Sequence, residues 1–356
     1  MKGLLLAGGR GTRLRPLTFT GNKHTLPIAN KPMILYGLEQ LKGAGINEIG
    51  VILGPIKEGM LDVLGDGSKH GVKITYIEQP EPKGLAHVVL ISEDYLGDEP
   101  FVMYLGDNLL RQPVRNFVTF YNDEKVDCVI GATEVKNPSK YGVIVFRKNG
   151  TIKRLIEKPR EPISNWALIG VYIFNHKIFQ AVKKIKPSWR GELEITDAIQ
   201  TLLKDGATVK VKKVDGWWKD TGSVGDLLEA NRLILDDLKP EILGSVEDGA
   251  SVLGRVSLGR ASLVSKGACI RGPSVIGHDT SLAEGVYVGP YTSIGNNVAI
   301  RNGEIDNSIV MDGCVIDTDE RIIDSLIGPN SLITSKTNTR PRGKRLVVGE
   351  RSTIEF

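Results

Sequence analysis

The sequence predicts an α/β domain with a Rossmann-like, mainly parallel sheet over residues 1–238, then a left-handed parallel β-helix over 244–338 and a tail at 339–356. Three observations carry this. Short aliphatic runs alternate with amphipathic helical stretches in the first part of the chain, the pattern of strands covered by helices on both faces. Those runs end in glycine or polar turns, above all Gly8-Gly9-Arg10-Gly11. From Val246 an aliphatic residue recurs at every sixth position, a period that belongs to stacked coils.

Leu4, Leu5 and Leu6 predict a buried strand that empties into a loop of Gly8, Gly9, Arg10 and Gly11, where backbone N–H groups can approach an anion closely. Arg13, Arg15, Lys23 and Lys31 follow, so the expected load is a polyphosphate. Pro32 opens a helix on which Met33, Leu35, Leu38 and Leu41 share a face, and Gly43 and Gly45 stop it. Segments 49–53, 72–77 and 101–105 predict further buried strands, with a helix over 84–96. Beyond Asn108, segments 126–133, 142–146, 152–156 and 167–174 predict short strands with few helices between them, an antiparallel or mixed extension on one side of the sheet. A helix over 224–235 leads into a polar hinge that ends at Pro240.

Composition narrows the function classes. The 356 residues are 41% apolar and 25% charged, ordinary for a soluble globular chain. A net charge of +4 is a small difference between 46 cations and 42 anions, so bulk-charge binding of nucleic acid is not implied. Cys128, Cys269 and Cys314 fit reduced thiols filling a core, and hence a cytoplasmic setting. The early first strand leaves no room for a signal peptide, and no apolar run reaches membrane-spanning length. His24, His70, His87 and His176 are scattered, which suggests surface or loop roles.

The glycine loop fails two familiar tests. A P-loop needs Lys-Ser/Thr after its last glycine, but Thr12 and Arg13 follow Gly11. A dinucleotide fingerprint needs a third glycine where Leu14 stands, and no acid follows the second strand at Gly54-Pro55. Ligands in parallel sheets collect outside the carboxyl ends of the strands, which here carry Gly8 to Gly11, Gln79, Asp107 and Asn108. The Gln79 amide can read a nucleobase edge or cap the turn before Pro80. Asp107 can hold a hard cation that bridges phosphates or cap its loop. Asp220 is the second acid wanted opposite it.

This stretch resembles the signature of the sugar nucleotidyltransferases: Gly-Gly-x-Gly-Thr-Arg-Leu-x-Pro from Gly8, a lysine before Leu-Pro, then Lys31-Pro-Met33. Tyr141-Gly142-Val143, Glu157-Lys158-Pro159 and the run from Arg190 to Asp197 look like matching segments of the glucose-1-phosphate thymidylyltransferases, long form, and the likeness extends to about residue 235. The resemblance implies that Gly8, Gly9, Gly11, Thr12 and Arg13 hold nucleotide phosphates, with Gln79 and Gly84 on the base. It implies Mg²⁺ on Asp107 and Asp220. Asn108, Gly142, Glu157, Lys158 and Leu168 would line the sugar-phosphate pocket, with Tyr141, Arg190 and Trp218 nearby, and Arg13, Lys23 and Lys158 would be the catalytic cations. The implied reaction makes dTDP-glucose and pyrophosphate from dTTP and glucose 1-phosphate. Two departures bear on nucleotide selectivity: His24-Thr25 stands where Gln-Leu is commoner, and Lys83 where many members carry Asp. UTP or another sugar 1-phosphate is the alternative within the class.

In the repeat, Val246, Val252, Leu258, Val264, Ile270, Ile276, Leu282, Val288, Ile294 and Ile300 are expected to point inward, with a small or β-branched residue four positions after each of the first nine. Glu304 and Asp306 interrupt the register, which predicts a loop or coil edge before Val310, Ile316 and Ile322 resume it. Prisms of this kind often form acyltransferases with a histidine between neighbours. His278 is the histidine within the repeat, and it reads either as that residue, in a bifunctional enzyme, or as a surface turn residue. Flat prism faces suit assembly into a homo-oligomer. The basic run from Arg340 to Arg345 reads as a solvated connector.

Overall fold

The computed structural model describes residues 1–161, 163–335 and 350–354. The run from Arg340 to Arg345 and most of the expected tail lie outside the described residues. The chain divides into two compact units. The first comprises Met1–Arg10, Thr20–Thr25 and Met33–Asp220, and the second Gly11–Phe19, Leu26–Pro32 and the chain from Thr221 onward. Among the described residues no helix is long and apolar enough to cross a membrane.

In chain order the main elements of the first unit are β1 (Lys2–Ala7), α1 (Met33–Gly43), β2 (Glu48–Leu53), β3 (Lys73–Glu78), α2 (Leu85–Ile91), β4 (Phe101–Leu105), β5 (Asn108–Leu110) and α3 (Arg115–Glu124). They continue with β6 (Cys128–Glu134), β7 (Gly142–Phe146), β8 (Ile152–Glu157), β9 (Trp166–Phe174), α4 (Lys177–Lys184), α5 (Ile195–Lys204), β10 (Val209–Lys213) and β11 (Trp218–Asp220). β1 lies between β2 and β4 in parallel, and β3 pairs in parallel with β2. β9 then runs antiparallel to β4, β6 and β7, so the expected mixed extension continues the same sheet edgewise. Strand alternation separates two cores. Leu4 and Leu6 pack with Val88, Ile178 and Ile199 from α2, α4 and α5. Leu5 and Ala7 pack with Leu38 and Phe117 from α1 and α3.

Three details differ from the sequence reading. The helix expected over 84–96 ends at Ile91, where the Ser92 hydroxyl donates to the Val88 carbonyl at 2.8 Å, and a short helix, Glu93–Leu96, follows. Helices α3 and α4, which flank the expected run of strands without interrupting it, were not read from the sequence: α3 is rich in aromatic and amide residues of modest helix propensity, and α4 spans barely two turns. Cys128 and Cys314 are buried as expected, but Cys269 is not core filler. It sits beside the inward-facing Ile270 on a short strand, and alternation turns it partly outward.

In the part of the second unit from Thr221 onward, α6 (Val224–Asp236) comes first, its N-terminus capped by Ser223. Short parallel strands then stack on three faces of a β-helix. One face holds Val256–Leu258, Ser274–Ile276, Thr292–Ile294, Ile309–Val310 and Leu326–Ile327. Ser257 stands beside Val275 and Val275 beside Ser293, so each full coil contains three hexapeptides. Residues Leu258 to Ile300 of the expected inward register are buried, as are the small positions from Val256 to Val298. The first coil is the exception, with no coil beneath it: Val246 is 40% exposed, and Val252 and Ala250 are only partly buried. Of the two readings of the interruption at Glu304 and Asp306, a loop or a coil edge, the second holds. Ala299–Asp306 runs as one strand around a corner, Gly303 takes φ 133°, and Ile305 becomes the buried residue before Val310 and Ile316. Shorter coils follow, with Ser293 beside Ile309. His278 is exposed in a turn, its Nδ1 2.6 Å from Asp279 Oδ2.

Candidate functional site

The carboxyl ends of β1, β3 and β4 gather polar side chains that the sheet buries. After β1 the chain turns at Gly8, whose carbonyl would lie 2.3 Å from a Cβ on Gly54, so two backbones touch where Gly54 follows β2. A Cβ on Gly9 would meet Lys23 Cε at 2.8 Å; the lysine therefore lies directly over the glycine turn. Lys23 Nζ in turn forms an ion pair with Asp107 Oδ2, beyond the end of β4. Burial, the largest single influence, would raise the Asp107 carboxyl, but Lys23, His24 and the Asn108 hydrogen bond together outweigh it and hold the group well below the usual carboxylate range.

Asn108 ties this carboxylate to the next layer. Its Nδ2 donates to Asp107 Oδ1 at 2.8 Å, and its Oδ1 accepts from Trp218 Nε1 at 2.6 Å. Trp218 lies on β11, which pairs antiparallel with β5 so that Asp220 stands opposite Asn108. The two acids named from sequence thus sit on residues adjoining one short two-stranded ribbon. Carboxylates are the donors a hard divalent cation takes, commonly one or two of them plus substrate phosphates. Among the described residues no group of three or more His, Cys, Asp and Glu is placed to hold a metal.

A second cluster surrounds Glu157 at the end of β8. Gly142 pairs with it across the β7–β8 hairpin, and a Cβ on Gly142 would fall within 3 Å of Thr196, Glu157 and Leu168 atoms. Burial, then the neighbouring charge of Glu194, push the Glu157 carboxyl up. Arg190 is shared among acids: its Nη2 donates to Glu192 at 2.7 Å, and Nη1 lies 3.3 Å from Glu194 and 3.8 Å from Glu157. Lys158 follows with φ 39°, a left-handed backbone for a non-glycine residue, and its N–H donates to the Tyr141 carbonyl at 3.1 Å. The Tyr141 ring meets Trp218 edge-on at 5.2 Å. Leu168 is largely core, 5% exposed.

Gln79 and Gly84 are placed more specifically than sequence could show. The Gln79 amide is 5% exposed, and its Nε2 donates to the Gly84 carbonyl at 3.2 Å and to His87 Nδ1 at 3.0 Å. Its donor therefore caps the turn, while Oε1 faces Gly8. Gly84 takes φ 98°, and a Cβ there would lie 2.4 Å from the Leu193 carbonyl, which accepts from Ala86 N–H. Only glycine fits that approach.

The histidine reading needs correction. His24 is 2% exposed, and its backbone N–H and Nδ1 both meet Asn22 Oδ1, at 2.9 and 2.7 Å. Asn22 Nδ2 donates to the carbonyls of Ala7 and Ile56, tying the loop to the end of β1. Burial, with Lys23 adding to it, pushes the His24 imidazole down to about 3, so it stays neutral beside the Lys23–Asp107 pair. Its place next to Lys23 in the motif was the one available signal. His87, hydrogen-bonded to Gln79, was missed as well. Gly11, Thr12 and Arg13 belong to the second unit, where the Arg13 guanidinium lies against Gly222: a Cβ there would come 2.5 Å from Nη2.

Comparison with known proteins matches two family models, one after the other along the chain. A family model described as nucleotidyl transferase matches residues 2–237, and one described as the GMPPB C-terminal domain matches 270–355. The chain is 48% identical to a low-salt glycan biosynthesis nucleotidyltransferase of Haloferax volcanii, over 100% of both chains. It is 45% identical to a glucose-1-phosphate thymidylyltransferase of Streptomyces antibioticus, over 100% of this chain and 99% of that one. A crystal structure titled as a putative glucose-1-phosphate thymidylyltransferase from Bacillus anthracis in complex with a sucrose superposes with TM-score 0.62 at 38% identity, covering 65% of this chain and 94% of that one.

Proposed function

Because the chain belongs to the nucleotidyl transferase family, we propose that this sugar nucleotidyltransferase makes dTDP-glucose from dTTP and glucose 1-phosphate, in a cytoplasmic setting. The observation that carries the reading is the Lys23–Asp107 pair laid over Gly9. It puts a fixed cation and a fixed anion at a strand end whose glycine turn carries no Cβ, which favours close approach of a phosphate.

A sugar phosphate oxygen attacks the α-phosphorus of the triphosphate in line, and pyrophosphate leaves; the nucleophile is already ionised at neutral pH. The obstacles are repulsion between two anions and their alignment. Mg²⁺ on Asp107 and Asp220 would supply charge neutralisation on the phosphates. Lys23 and Arg13 supply cations toward the triphosphate, with Gly8, Gly9, Gly11 and Thr12 along its backbone contacts. Lys158 serves the sugar phosphate, while Glu157, held in place by Thr196 and Arg190, accepts sugar hydroxyls. Asn108, Tyr141, Gly142, Leu168 and Trp218 shape that side, and Gln79 with Gly84 faces the base.

Thymine and uracil share the edge that an amide such as Gln79 reads and differ by one methyl group, worth about 1–3 kcal/mol in a pocket. UTP is therefore the second reading. A grid of nucleoside triphosphates against sugar 1-phosphates, followed by pyrophosphate release, tests both. The highest kcat/KM is expected for dTTP with glucose 1-phosphate; UTP in first place would select the alternative, and no release from any pair would contradict the function.

A further inference from the structure

Asn231 on α6 is fully buried, with both ends of its amide engaged. Its Oδ1 accepts from Ala29 N–H at 2.8 Å and from Ser293 Oγ at 2.7 Å, and its Nδ2 donates to the Tyr291 carbonyl at 3.0 Å. Ser293 and Tyr291 belong to the β-helix. Ala29 belongs to the turn between the short antiparallel strands Pro27–Ile28 and Lys31–Pro32. That turn is strained: Ala29 and Asn30 take φ 47° and 60°, and alanine has no side chain to offset a left-handed backbone. Such conformations persist where the surroundings over-determine them. Here the surroundings are the prism, since Asn30 Nδ2 also donates to the Ile294 carbonyl at 2.6 Å.

The other detached segment, Gly11–Phe19, uses the same face. A Cβ on Gly328, just past Leu326–Ile327, would lie 3.0 Å from Leu17 Cδ2. The strands beside Ile294 and Gly328 are joined through Ile309–Val310. Thr18 Oγ1 closes the loop on the Gly11 carbonyl at 2.7 Å, and Arg13 lies against Gly222, next to the Ser223 cap of the helix that carries Asn231. One prism face and one helix thus support both halves of the phosphate-loop motif.

We propose that Asn231 is a positioning residue and that the β-helix, through it, presets the loop that takes the nucleotide. This rests on the reading of Arg13 and Thr12 as triphosphate contacts. In full-length protein, Asn231→Ala should raise deuterium uptake in peptides covering Gly11–Phe19 and Leu26–Pro32. It should also raise KM for dTTP about tenfold while KM for glucose 1-phosphate moves less than about twofold. Asn30→Gly tests the same link without a folding hazard, because glycine accepts the left-handed backbone and the Ile294 carbonyl keeps its bond from Gly277 N–H at 2.8 Å; a KM rise of about threefold is expected. Folded variants with wild-type uptake and wild-type KM values would overturn the proposal. So would an equal loss of kcat with both KM values unchanged. If Asn231→Ala does not fold, Asn30→Gly decides. Wild type that releases no pyrophosphate from any pair would defeat the functional reading, while the exchange data would still judge the positioning role.

Discussion

The two units bury polar side chains for opposite reasons. In the β-helix the buried hydroxyls repeat: Ser262, Ser274 and Thr280 each donate to a carbonyl in the next coil, those of Gly277, Gly289 and Gly295, at 2.7, 2.9 and 2.9 Å. Ser262 and Thr280 also accept from the next coil, from the N–H groups of Thr280 and Val298 at 2.9 and 3.1 Å, so the same work recurs along the prism. At the strand ends of the first unit nothing repeats. Asp107, Lys23, His24, Asn22 and Asn108 are different groups that converge on one another from separate elements. Repetition signals scaffolding, and convergence of unlike, partly charged groups signals chemistry.

That contrast can be broken at several points. The largest effect is expected from Asp107→Asn, which removes a cation ligand and the partner of Lys23; turnover should fall on the order of 10²–10³-fold or more with the circular-dichroism spectrum unchanged. Near-normal turnover would erase the distinction between the units. Next is pH. The folded-state pKa of His24 is depressed to about 3 from 6.5, so between those values the unfolded chain binds the extra proton. Stability should be fully present above pH 6.5 and fall as the pH drops toward 3. Urea unfolding in chelator, with His24→Gln as reference, checks it: the variant should lose this part of the acid slope. Gly84→Ala sets a Cβ against the Leu193 carbonyl at a left-handed backbone and should cost about 1–3 kcal/mol or more, read by the same unfolding curves. The smallest effect belongs to the prism: Ser274→Ala should cost about 1 kcal/mol and leave kcat and both KM values where they were.

Legibility followed the same line. Ten positions in one register made the β-helix readable, and of the two readings of its break, loop or coil edge, Ala299–Asp306 takes the second, with Ile305 taking over burial one residue off the hexapeptide register. The parallel core was readable from Leu4 to Leu6 and from Phe101 to Leu105, since strands covered on both faces are continuously apolar. Helix α3 was not, because Phe117, Phe120 and Tyr121 carry no helical preference of their own and are held by the sheet. The motif supplied Lys23 and Asp107 as candidates, but their pairing spans eighty-four positions. Nothing local marks His24 as buried, or Gly84 as a close approach to Leu193. Such long-range facts come from packing alone.

The most direct test of the central claim is a crystal structure after soaking with dTTP, glucose 1-phosphate and a divalent cation. The account predicts phosphate density over Gly9 within hydrogen-bonding reach of Lys23, a cation on Asp107, and the sugar phosphate at Lys158 and Glu157. Reactants bound elsewhere, with Lys23 and Asp107 still closed on each other, would contradict it.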